Sequence, residues 1–594
     1  MNEDGLGLFS GEDQPTVEWG WKNYEKAVAY NTTVGLQETV KANENFFIGK
    51  QWEGVEANGL PTPVFNFLKR VGGFTIANLV SDSIKINASV LAAFPEDDKL
   101  VDPVRIVNDE MDALSEQNRL PSLAKAFARD AAVRGDGCIF TWWDAKADAG
   151  PYGKGRIRSE LLENTRVFFG NPSDRRVQEQ PWIMIEKREL VRNVKRRAKD
   201  NGAEDWETIM PDDENMEAVD SVKYTDDKVT TVQLYWKDDD NEEVWCFEFC
   251  NRHVIREPWN LNIHLYPIVW LNWDYVADSY HGQAMITGLI PNQIFVNKAW
   301  AMSQLSIMRT AWPKFIYDKT RIDHLDNRVG GAIGVAGNVD GAIKVADTGH
   351  IEAQVFQYIS AAISQTEEAL GATEAALGEG KAYNTSAILS LQKAASTPQE
   401  LTKQNLYAQI EDLARIYLEF MAEYYGKRTV DMAPTDEMRA MLEQYNDLRE
   451  QAGMPRQDIP STMPVDFDFS MLKQHPFSIK IDVGASSYYS EVSSLSTLDN
   501  LLLNGHINIV QYLEHIPDGT VAGRRELIEE LKQQMEEQQR MAEQQAMMEQ
   551  QMQMQQQAAA TPEIAENEAT AESKSTGFKE LGEALRSVER RQQG

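Results

Sequence analysis

Polar and apolar positions along this chain alternate mostly with helical period, and the cleanest case lies near its middle. In residues 280–314, YHGQAMITGLIPNQIFVNKAWAMSQLSIMRTAWPK, one stripe holds Ile294, Lys298, Met302 and Leu305. Phe295, Trp300, Gln304 and Ile307 follow a second stripe less cleanly. The spacing predicts a long helix over 284–311. Pro291 marks its start or a kink, because proline has no N–H to give the preceding turn. The only charges between Ala284 and Ala311 are Lys298 and Arg309. Asn292, Gln293, Asn297, Ser303, Gln304 and Ser306 break the apolar run too often for a membrane span of about 20 residues. Such a helix is expected to pack on several sides, against its own chain or against copies of it.

A second long helix is expected at 351–370, with Val355, Ile359, Ile363 and Leu370 on one stripe. Between the two lies KFIYDKTRIDHLDNRVGGAIGVAGNVDGAIKVADTG, which reads as short strands and glycine turns. Helix–insert–helix is therefore the main architectural expectation. Upstream, helical spacing runs through Trp21, Tyr24, Val28, Leu36, Val40 and Phe47 until Gly49 stops it, then resumes over 64–83. A further helix over 122–134, with Leu123, Phe127 and Ala131 on one face, ends at Gly135 and Gly137. CIFTWWD and PWIMIEKREL read as strands, with turn chemistry at 170–174. Segments 229–236 and 244–250, joined by KDDDNEE, form the clearest hairpin. HLYPIVWLNWDYV is a buried strand leading into the central helix. Later come a long helix from about 387 to 425 broken at Pro398, a strand at 477–485, and two short helices meeting at Asn504–Gly505. The class is mixed α+β, mostly helical. Residues 1–18 read as an acidic leader, 524–557 as a Gln/Met-rich helix, and 558–594 as a flexible tail with a last helix near 579–591.

Composition narrows the options. The chain has 594 residues and a formal net charge of −33, which repels nucleic acid at long range. It suits a surface that DNA touches without sticking. Three cysteines give no disulfide framework. The first residues, MNEDGLGLFSGEDQP, contain no apolar signal segment.

No motif points to catalysis. GEGKAY lacks the first glycine and the hydroxyl residue of a phosphate loop, and GGAIGVAGNVDG lacks GxGxxG spacing. HExxH and GxSxG are absent. Cys246 and Cys250 share a strand face, His253 is expected on the other, and no fourth ligand lies nearby, so metal is not expected. His281 reads as a residue at the start of the central helix. VRNVKRRAKD, the densest basic cluster, reads as an exposed helix face balancing nearby acids. Neither an enzyme nor a cofactor is indicated.

Three segments nevertheless carry a resemblance. NFFIGKQW followed by PTPVFNFLKRVGG, with Asn66, resembles the N-terminal signature of tailed-phage portal proteins. YHGQAMITGLIPNQIFVN, with Gly282, Gln293 and Asn297, resembles that family's approach to its stem. GATEAALGEGKAYNTSAILSLQ resembles its tunnel-loop region, including Asn-Thr-Ser before a long helix. The order of the three, spread over 19–531, is more specific than any one. The resemblance implies a wing at 19–283 and 387–484, stem helices at 284–312 and 349–370, a small α/β clip at 313–348, a tunnel loop at 371–386 and a helical crown at 485–531. It also implies a ring, usually of twelve, at one vertex of the virion capsid, assembled in the host cytoplasm. Double-stranded DNA would pass through it in packaging and ejection. Implied partners are the terminase large subunit, head–tail connectors and the major capsid protein. Twelve copies would carry roughly −400 formal charges. Lys381, the one cation of the loop, with Asn384, Thr385 and Ser386, would then face DNA, unless Lys381 pairs with Glu374 or Glu379. The stem would pack through Ile294, Lys298, Met302, Leu305, Val355, Ile359 and Ile363. The alternatives are another capsid or scaffold protein, which would not close a ring, and a nucleotide-dependent enzyme, which would bind ATP.

Overall fold

A computed structural model describes residues 14–80, 83–90, 101–148, 154–212, 227–311, 314–325, 332–345, 353–372, 399–432, 436–451, 454–457, 463–474, 477–484, 498–504 and 507–516, with a few shorter pieces. It divides into two units, 1–487 and 488–594.

The first unit opens with α1 (Val17–Thr33) and α2 (Leu36–Ile48). They are separated at Gly35, and Gly49 ends α2 in a left-handed conformation. The Thr16 side chain accepts from Trp19 N and caps α1. Next come α3 (Phe67–Leu79), β1 (Ser83–Val90), α4 (Val101–Gln117) and α5 (Leu120–Arg134). The helical pattern expected to reach 83 stops at Leu79, and β1 takes over. Ile86 and Ala88 are buried in it, at period two.

Two antiparallel sheets follow. β2 (Asp136–Asp148) is flanked by β3 (Lys154–Leu162) and β11 (Ile268–Asn272). The larger sheet has the order β10-β9-β8-β5-β4, from β4 (Val167–Phe169), β5 (Trp182–Leu190), β8 (Lys228–Lys237), β9 (Val244–Cys250) and β10 (His253–Asn260). The expected hairpin is β8–β9, with Tyr235 opposite Cys246. α6 (Val191–Asp200) continues directly from β5, and a two-residue pair, β6 (Met216–Glu217) with β7 (Lys223–Tyr224), precedes β8. Strands β1, β3 and β10 have no counterpart in the sequence reading, so sheet takes a larger share than a mostly helical fold implies.

The central helix is α7 (Met285–Ala311). Pro291 lies inside it rather than at its start. The insert contributes β12 (Phe315–Tyr317) paired with β13 (Ile343–Val345), and α8 (Ala353–Ala369) follows. Then come α9 (Glu400–Phe420), extended by one wider turn over Met421–Tyr425, β14 (Lys427–Met432), α10 (Asp436–Gln451), β15 (Met463–Asp468) and β16 (Phe477–Gly484). β14 pairs with β15, and β16 pairs with β1, far upstream.

One core joins α3, α5, β2, β11 and α9 through Leu68, Phe127, Ile139, Val269 and Tyr417. A second lies between α1 and the five-stranded sheet, where Trp182, Trp236 and Phe249 meet Trp19 and Tyr24. Gly20 allows that approach, since a Cβ there would stand 2.6 Å from the Phe249 ring. In the second unit, α11 (Ile509–His515) starts at a reciprocal cap between Asn508 and Gln511. Among the described residues no helix is long and apolar enough to cross a membrane.

Candidate functional site

α7 is fastened to the rest of the first unit by polar contacts, which is why so many amides interrupt its apolar pattern. At its N-terminal approach, Asp136 opens β2 and is buried. Its Oδ2 accepts from His281 Nδ1 at 2.7 Å and from Asn164 Nδ2 at 3.3 Å. Its Oδ1 accepts from Gly282 N at 2.7 Å and Asn272 Nδ2 at 2.8 Å. On the far side of the ring, His281 Nε2 lies 3.1 Å from Asn31 Oδ1, which also accepts from Tyr280 Oη. The sequence reading of His281 as a helix-start residue is right about place, but it misses this network. Glycine is required beside it: Gly135 has φ +103°, and a Cβ there would stand 2.7 Å from Gly282 O.

About three turns further on, a ladder of amides crosses from α7 to the N-terminal segment. Asn297 Nδ2 donates to Gln51 Oε1 at 2.6 Å, and Gln293 Nε2 donates to Asn297 Oδ1 at 2.9 Å. Gln293 Nε2 also donates to Phe65 O at 2.8 Å. Gln51 Nε2 donates to Phe46 O, and Asn66 Nδ2 to Phe47 O. The Asn66 side chain caps α3 by accepting from Lys69 N. Gln51, Gln293 and Asn297 are all buried. The segments NFFIGKQW, PTPVFNFLKR and IPNQIFVN, distant in sequence, are thus one hydrogen-bonded joint. Asn43 Nδ2 adds a bond to Thr287 Oγ1 at 2.9 Å.

α8 packs along α7. Ile359 is buried, and Val355 and Ile363 are half-buried against the main core. Asn292 Nδ2 donates to Thr366 Oγ1 at 3.0 Å, and Trp300 meets Phe356 edge to face at 5.8 Å. At the far end of α8, Gln399 Nε2 donates to Leu370 O, and its Oε1 accepts from Asn78 Nδ2. The chain therefore leaves near 372 and returns at 399 to the same point. Lys381, Asn384, Thr385 and Ser386 lie outside the described residues.

The remaining faces of α7 are open. Ile294 and Leu305 are half-buried, Lys298 is exposed, and Met302 is 66% exposed. On the other side, Trp300, Gln304 and Ile307 form a groove of about 650 Å³ with Pro61, Pro63 and Phe65. Beyond the insert's start, Ile316 and Val345 are also exposed, on a ribbon of two strands.

The other candidates resolve into packing. His253 is paired directly with Cys250 in the β9–β10 hairpin, so the two share a face, contrary to the expectation of opposite faces. Burial pushes the Cys246 thiol well up and the Cys250 thiol to about 12. Among the described residues no three His, Cys, Asp or Glu side chains gather as a metal site would require. In α6, Arg197 pairs with Glu189 and Glu248, Lys195 Nζ donates to Glu207 O, and Lys199 sits over Trp206.

Among curated proteins no match is found. The description of the phage P22-like portal protein family, by contrast, matches residues 24–471, from α1 to the turn after β15. That span contains both the amide joint and the helix–ribbon–helix unit. The chain belongs to the phage P22-like portal protein family, structural and non-enzymatic proteins that form a homo-oligomeric ring at the portal vertex of the capsid, through which DNA is packaged and ejected.

Proposed function

We propose that α7 and α8 are the stem of each subunit, that residues 313–348 with the β12–β13 ribbon are the clip, and that residues 371–386 are the tunnel loop. Residues 19–283 and 387–484 make the wing, and 485–531 the crown. The clip is the docking platform for the terminase large subunit and later for head–tail connectors, and the major capsid protein surrounds the ring. The observation that carries this reading is the open stripe on α7. A helix with two charges in 27 residues leaves Met302 66% exposed in the single subunit. Apolar surface on that scale marks contact with another chain. The stripe Ile294, Lys298, Met302 and Leu305 packs on the next copy, while Val355, Ile359 and Ile363 hold α8 on α7 of the same subunit.

The test is assembly. Ile294→Asp or Leu305→Asp abolishes rings in electron micrographs while the subunit keeps its circular dichroism and melting temperature. Normal rings with either substitution would refute the stem assignment. The tunnel loop falls within the stretch between Leu370 and Gln399, whose flanking residues are hydrogen-bonded to each other. In it, Lys381 approaches the DNA backbone, with Asn384, Thr385 and Ser386 as neutral neighbours. Lys381→Ala then changes the salt dependence of packaging and ejection, because a phosphate contact is screened by salt. Unchanged behaviour at all salt concentrations counts against DNA contact by Lys381.

A further inference from the structure

Two apolar surfaces on α7 face opposite ways. At about 100° per residue, Met302 lies roughly 200° around the helix from Trp300, and Phe295 about as far, so Phe295 is opposite Trp300 rather than on the stripe expected to hold both. Phe295 and Met302 are seven residues apart, hence on one stripe, and are 49% and 66% exposed. Trp300, Gln304 and Ile307 fall on the reverse side and line the groove whose other wall is Pro61, Pro63 and Phe65. That groove is preformed. Trp300 is braced by Phe65 at 4.8 Å and Phe356 at 5.8 Å, and Trp52 Nε1 holds Pro63 O at 2.9 Å.

A ridge on one face and a groove on the reverse face is the requirement for a head-to-tail contact that repeats around a ring, since each copy offers one surface and uses the other. We infer that Phe295 and Met302 of one subunit seat in the Pro61–Phe65/Trp300–Ile307 groove of the next. The inference rests on the reading of α7 as a strut between subunits and adds which surface meets which. Charge agrees with it. Lys298, one turn before Met302, is exposed on the ridge, and the loop leading into the groove carries exposed Glu53 and Glu56. Trp52, next to Glu53, is the residue tied to the groove wall.

The test is a double variant, Thr62→Cys with Met302→Cys, in the full chain, treated with a short thiol–thiol crosslinker after ring assembly. The native thiols do not compete, because Cys138, Cys246 and Cys250 are all buried. The expected result is a ladder of covalent multimers on a denaturing gel, absent with either single variant and absent from unassembled subunits. Rings of the double variant that give no ladder overturn the groove assignment. A separate variant, Met302→Asp, tests the reading beneath it. Loss of rings by a folded subunit without a ladder in the cysteine variant keeps the strut and discards the groove. Normal rings with Met302→Asp discard both.

Discussion

Asp136 accepts from four donors contributed by three distant segments, Asn164, Asn272 and the His281–Gly282 pair. A carboxylate in that position is worth more by what its loss exposes than by the bonds it makes, since the buried His281 ring and Gly282 N lose a partner, while the Asn164 and Asn272 amides keep one bond each, to Arg134 O and Tyr280 O. Asp136→Ala is expected to lower stability by about 1–3 kcal/mol, the usual cost of leaving buried hydrogen-bonding groups unsatisfied. Chemical denaturation of the subunit would show it as a lower midpoint with an unchanged slope. A change under about 1 kcal/mol would mean that water replaces the carboxylate without loss.

At the scale of elements, the joint between α7 and residues 46–68 depends on side-chain amides one helical turn apart, Gln293 and Asn297. Asn297→Leu keeps the branching at Cγ and raises helix propensity, but strands the Gln51 and Gln293 amides. The expected effect is a loss of about 1–3 kcal/mol and faster hydrogen exchange over 46–52 than elsewhere in α2. Uniform exchange would argue against a local joint. Much of this element pattern was legible. The β8–β9 hairpin announced itself through β-prone residues on both sides of a charged connection, and α7 through its length and spacing. The strand β1 did not, because Ile84 and Ile86 continue the apolar spacing of FTIANLV and the Ser81-Asp82-Ser83 between them holds neither glycine nor proline. The joint itself was hidden for another reason. Gln51 and Asn297 are 246 positions apart, and a lone amide carries no local signal of its partner. His281 and Asp136, 145 apart, are the same case. The placement of His253 failed because a two-residue turn returns the chain and brings opposed residues to one face.

For the whole molecule, charge and burial push in one direction. Glu110, Asp130, Glu186 and Glu248 are all held above the ordinary carboxylate range, in each case chiefly by burial. A carboxyl raised in the fold holds its proton more tightly there than in the unfolded chain. Its stabilising contribution is full below the unfolded value and is lost as pH rises through the folded one. Asp174, Asp318 and Asp468 are lowered by hydrogen bonds and act oppositely, but only as pH falls below the ordinary 3.8. Between these limits the raised groups prevail, and protonation also relieves self-repulsion in a chain of net charge −33. The melting temperature of the subunit should therefore rise as pH is lowered from neutrality through the raised carboxyl values toward the ordinary carboxylate range. A fall across that interval would show that other titrating groups dominate.

The amide joint behaves differently from everything just described. Amides do not ionise, so acidity and salt reach it only through the surrounding fold. Its bonds also share one alignment: rotating or sliding α7 by a single residue would move Gln293 and Asn297 off Phe65 and Gln51 together. A displacement of α7 along its axis would therefore break these bonds as a set rather than one at a time.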